Sequence, residues 1–114
     1  MNRNKLIEIF ISNLANSIIH KILEKAIEQA EIAEKYDKEV RNSWQIAKIY
    51  REKINPSNRS LPFRDISEIK SKIKSKIENE LKLRIEKGYK NINLELIEKF
   101  IERALKDMLV IEKA

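Results

Sequence analysis

The stretch NLELIEKFIERALKDML, residues 93–109, decides the fold class. Ile97, Phe100, Ile101, Ala104, Leu105, Met108 and Leu109 recur three and four residues apart, so they form one apolar stripe on an α-helix. Asn93 stands before the stripe and carries a side chain suited to the free N–H groups of a helix start. Working backwards, Gly88 offers the left-handed residue that ends a preceding helix, expected from Asp65 to Lys87. Asp65 and Glu68 have capping-box spacing at its head. Ile66, Ile69, Ile73, Ile77, Leu81 and Ile85 mark its buried side.

Upstream, the segment from Arg3 to Ile54 contains neither glycine nor proline and keeps a helical period throughout. Ile7, Ile11, Leu14, Ile18, Ile22, Leu23, Ala26, Ile27, Ala30 and Ala33 make its first stripe, and Val40, Trp44, Ala47 and Ile54 make a second. A straight helix from Arg3 to Tyr36 would span about 50 Å, longer than a compact chain of this size is wide. It must break, protrude or meet a partner. The weak helix formers Ser12, Asn13, Asn16 and Ser17 offer one break, and Asp37, read as a fresh cap, offers another. No strand is expected, because the short alternations such as residues 92–96 sit beside strong helix signals. The expected architecture is all-α: one domain over residues 1–114, about four helices in an up-and-down bundle, the first of them long.

Composition narrows the function classes. Hydrophobic residues make up 42% and charged residues 37% of the chain, too apolar for a disordered polypeptide and too charged for a membrane protein. Glu8, Asn13 and Asn16 interrupt the N-terminal apolar run, so neither a signal peptide nor a membrane span is expected, and the location expected is the cytoplasm. Abundant lysine and glutamate with one glycine and two prolines is a pattern shared with heat-adapted proteins.

Catalytic constellations are hard to assemble from these residues. Cysteine is absent, His20 is the single histidine, and no glycine-rich phosphate loop occurs. His20 has Glu24, Glu28 and Glu31 on nearly the same helical face, yet a di-metal carboxylate bundle needs a Glu-x-x-His unit from each of two helices. No enzyme activity, cofactor or metal is therefore expected, and that acidic face reads as solvated, with Lys21, Lys25 and Lys35 interspersed.

Two binding readings remain. Leu6, Ile7, Ile9, Phe10, Ile11 and Leu14 cover most of the N-terminal helix circumference, more than one flank of a small monomer is expected to bury. They point to a partner interface, most simply with a second copy, in a non-catalytic interaction or assembly protein. The alternative is a nucleic-acid-associated protein. Residues 59–90 hold ten Lys or Arg against five Asp or Glu, with Arg59, Arg64, Lys70, Lys72, Lys74 and Lys76 as candidate phosphate contacts. Geometry counts against that set, because Lys70 and Lys74 share one side of a helix while Lys72 and Lys76 share another.

Overall fold

The computed structural model describes residues 2–55, 60–108 and 110–111. Four α-helices follow one another, α1 (Arg3–Ala26), α2 (Ala30–Ile54), α3 (Phe63–Glu86) and α4 (Leu96–Asp107), and the described residues form no strand. α1 starts on a side-chain cap, the Asn2 carbonyl oxygen accepting from the Lys5 N–H at 2.9 Å. Its 24 residues span about 36 Å at 1.5 Å per residue, within the 41 Å long axis of the molecule.

The break in the long N-terminal segment falls at Ile27, Glu28 and Gln29, at neither of the places the sequence suggests. Ser12, Asn13, Asn16 and Ser17 all stay helical, and the polar groups of Asn13, Asn16 and Ser17 are satisfied where they stand. Asn13 bonds back to the Ile9 carbonyl, while Asn16 donates to Ser43 and Glu39, and Ser17 donates to the Val40 carbonyl. These bonds join α1 to α2 along a seam of small and polar side chains. Asp37 does not cap a helix. It lies within α2 and pairs with Arg41 one turn on, at 3.2 Å. Folding α2 back along α1 buries both stripes, and three residues leaving the helix is a small cost against that burial.

The pairings fix the path. Asn16 meets Ser43 and His20 meets Tyr36, so α2 runs antiparallel to α1. Arg3 pairs with Asp65, and α1 residues 12–20 face α3 residues 76–84, so α3 runs parallel to α1. Lys70 pairs with Glu102 and Lys74 with Glu98, which sets α4 antiparallel to α3. The course is up, down, up, down, and α1 is the central helix: α2, α3 and α4 each pack on it, whereas α2 makes no backbone approach within 8 Å to α3 or α4.

The core follows from that arrangement. Phe10, Ile11, Leu14, Ile18, Ile22 and Leu23 of α1 are buried against Ala47 of α2, Ile69, Ile73, Ile77 and Leu81 of α3, and Ile97, Ile101 and Leu105 of α4. Ile85, expected with the buried side of α3, is 41% exposed. Extending the Lys70–Glu102 and Lys74–Glu98 register puts the start of α4 opposite about residue 76, so the last turns of α3 have no α4 above them.

The helix ends match their chemistry. Gly88 has φ +99°, the Tyr89 N–H reaches the Arg84 carbonyl and the Gly88 N–H reaches the Ile85 carbonyl, a Schellman closure of α3. α3 begins earlier than its capping-box signature suggests, at Phe63, because Asp65 is drawn to Arg3 and Glu68 to Lys72. Asn93 does not cap α4, whose N-cap position is Glu95 with no side-chain bond; it accepts from the Glu95 N–H at 3.0 Å in the turn that leads into the helix. Leu61 is buried and its N–H donates to the Val110 carbonyl, whereas Phe63 is 84% exposed. Leu109 of the α4 stripe lies outside the described residues.

Candidate docking groove

Of the six N-terminal residues read as a partner interface, three are taken up by the chain itself. Phe10, Ile11 and Leu14 are almost wholly buried in the core, whereas Leu6, Ile7 and Ile9 are half-buried. A central helix flanked by three others buries far more of its circumference than a helix on one flank of a bundle, and intramolecular packing supplies most of the cover that the sequence appears to demand of a partner. By length and composition α1 is also apolar enough to cross a membrane. Half of that apolar window is buried inside the fold.

The basic set of residues 59–90 is divided in the same way. Lys70 and Lys74 reach across to Glu102 and Glu98 of α4 at 3.0 and 2.6 Å, and Lys72 pairs within α3 with Glu68 at 2.8 Å. The Glu98 and Glu68 carboxyls are held below the usual carboxylate range by hydrogen bonds from Lys74 and Lys72. Arg64 is exposed near Glu68, and Lys76 lines a cleft against α1. Arg59 lies outside the described residues.

The cleft beside Lys76 has a volume of about 500 Å³ and runs between α1 and α3, with Asn16, His20, Glu80 and Arg84 among its lining. His20 donates from Nδ1 to the Asn16 carbonyl at 2.8 Å, since a carbonyl only accepts. Its ring lies 5.7 Å from that of Tyr36. Arg84 is bound at 2.9 Å to Glu80, whose hydrogen bond raises its pKa. The break after Ala26 takes Glu28 and Glu31 off the helix that carries His20. Among the described residues no three His, Cys, Asp or Glu converge as a metal site.

A different concavity opens on the other side of α1. Because α2 and α4 flank α1 with no backbone approach within 8 Å of each other, a groove of about 370 Å³ lies between them. Its floor is apolar: Ile18 from α1, Val40 and Trp44 from α2, and Leu96, Phe100 and Ala104 from α4. Trp44 and Phe100 are half-buried, each packed on the core with part of its surface left open. The rim is cationic. Lys21 and Lys25 come from α1, Lys99 and Arg103 from α4, and the one carboxylate among the lining residues is Asp107.

Sequence reasoning reads Trp44 as core and Lys21 and Lys25 as a solvated face, and it does not single out Lys99 or Arg103. Each assignment is locally sound. What escapes it is that α2 and α4 stand apart, which no local pattern encodes. The available signal is the repeated spacing: Lys21 and Lys25, like Lys99 and Arg103, stand one turn apart at the edge of an apolar stripe.

The fold and this concavity define a four-helix bundle built round its first helix, with one flank open. No family model, curated protein or solved structure matches the chain.

Proposed function

We propose that the protein is a non-catalytic helical interaction module that docks a partner protein in the groove between α2 and α4. The observation that carries this reading is the pair of half-buried aromatic side chains, Trp44 and Phe100, on the apolar floor of that groove. Aromatic side chains set in a pocket are the residues that anchor protein interfaces, because they bury large area with few rotatable bonds to freeze. The reading keeps the interaction role expected from the sequence and moves its surface from the N-terminal stretch, whose larger side chains are used in the core, to the open flank of α1.

A photoreactive phenylalanine analogue tests it at two positions. Placed at Phe100 in the source cells, the analogue forms covalent adducts of defined mass with a protein; placed at Phe63, which is 84% exposed and outside the groove, it does not. Equal labelling from both positions, or none from Phe100, overturns the reading.

A further inference from the structure

We infer that the groove takes an acidic amphipathic α-helix, with the apolar stripe of that helix on the floor and its carboxylates against the cations of α1 and α4. This rests on the docking role proposed above and adds the chemistry of the partner. The first argument is charge. The rim residues are four cations against one carboxylate, and neither Lys25, Lys99 nor Arg103 has an ion pair among the described residues. Of the acids of α4, Glu98 and Glu102 are engaged by Lys74 and Lys70 on the α3 side, and Asp107 alone lines the groove. α4 therefore presents an unpaired cationic edge to the groove and a neutralised edge to its neighbour.

The second argument is register. Lys21 and Lys25 lie four residues apart on α1, and Lys99 and Arg103 lie four residues apart on the α4 wall. Each pair is thus separated by about 6 Å along its helix. A docked helix repeats its own side chains at the same rise, so glutamates spaced i, i+4 on either side of its apolar stripe meet both pairs together.

The third argument is the backbone. The walls and floor are α-helices, which bond their own main-chain groups and offer no sheet edge to an extended peptide. A helix brings its backbone already satisfied. A nucleic acid fits less well, since the aliphatic floor of Ile18, Val40, Leu96 and Ala104 offers phosphates no compensation for lost water. A second copy also fits less well, because two chains of net charge +6 repel one another.

Trp44 is the one tryptophan in the chain, so its emission reports on the groove. The full-length protein is titrated with three tryptophan-free helical peptides that share a leucine stripe and flank it with glutamate, glutamine or lysine. A labelled single-stranded oligonucleotide forms a fourth arm. The expected result is that the glutamate peptide shifts Trp44 emission and binds at least about tenfold more tightly than the glutamine peptide, with the gap closing as salt rises. Lys25→Glu with Arg103→Glu, two exposed positions without ion pairs, is expected to transfer the preference to the lysine peptide while helical content stays unchanged.

Equal binding of the glutamate and glutamine peptides overturns acid selectivity but leaves a docking groove. Binding of the oligonucleotide alone, or self-association that shifts Trp44 emission as protein concentration rises, overturns the helix as occupant. Failure of every peptide while Phe100 still gives a protein adduct refutes the acidic helix and spares the docking role; failure of both refutes both.

Discussion

Arg51 of α2 donates from Nε to the carbonyl oxygen of Met108, just past the end of α4, at 2.8 Å. The side chain is only 5% exposed, and burial pulls its pKa below the ordinary arginine value. The backbones of α2 and α4 nowhere approach within 8 Å, and this bond ties the two groove walls together at one end. Arg51→Met keeps much of the volume and removes the donor, leaving the carbonyl with one partner fewer. Its expected cost is about 1–3 kcal/mol, read as a lower urea midpoint. A second readout is hydrogen exchange, which should accelerate in residues 101–108 more than in α3 if the bond holds the end of α4 in place.

The start of α2 carries no side-chain cap. Gln29 occupies the cap position with extended backbone, φ −78° and ψ 116°, but its amide makes no bond to the first turn. That geometry suits a short acidic or hydroxyl side chain. Gln29→Asp is expected to stabilise the protein by about 1 kcal/mol, seen as a rise in Tm of roughly 4 °C, whereas Gln29→Ala leaves Tm nearly unchanged. A null result for aspartate would mean that the Ala30, Glu31 and Ile32 N–H groups are already satisfied by water.

That junction marks the limit of what the sequence discloses. α3 and α4 are legible because Gly88 and Asn93 are residues with specific backbone roles, and both do what their chemistry allows. Ile27, Glu28 and Gln29 have no such role, so the turn they make is decided by the burial of α1 against α2 and leaves no local mark. The polar cluster Ser12, Asn13, Asn16 and Ser17 misleads for a related reason. Asn16 and Ser17 lower helix propensity, but across the seam they gain Ser43 and the Val40 carbonyl as partners. The groove was legible only in fragments, as an aromatic residue and two i, i+4 cation pairs whose meeting depends on the gap between α2 and α4. The metal-like grouping of His20 with Glu28 and Glu31 fails because it assumes one helix where there are two.

Phe10 separates a self-contained core from one completed by a partner. It is wholly buried in the chain's own packing. Phe10→Ala is expected to lower the unfolding free energy by about 3–5 kcal/mol. The unfolding midpoints of both proteins should stay fixed when protein concentration is varied about a hundredfold, because the chain's own packing already covers Phe10. A midpoint that climbs with concentration would return the N-terminal face to the interface role suggested by Leu6, Ile7 and Ile9.

Tyr36 gives the fold an alkaline limit. Burial raises its pKa above the ordinary 10.0, Tyr89 nearby raises it further, and Arg84 opposes the shift. The folded chain therefore holds the phenol proton to a higher pH than the unfolded chain. The resulting contribution to stability is complete below the ordinary tyrosine value and is lost as pH rises through the higher folded one. Urea unfolding between about pH 8 and about pH 11 should show stability falling across that upper range, with a shallower fall in Tyr36→Phe. Phenolate absorbance of the folded protein should show a late phase from Tyr36, which should vanish in the variant. If the late phase persists in Tyr36→Phe, the packing of Tyr36 between α1 and the end of α3 is not what sets the limit.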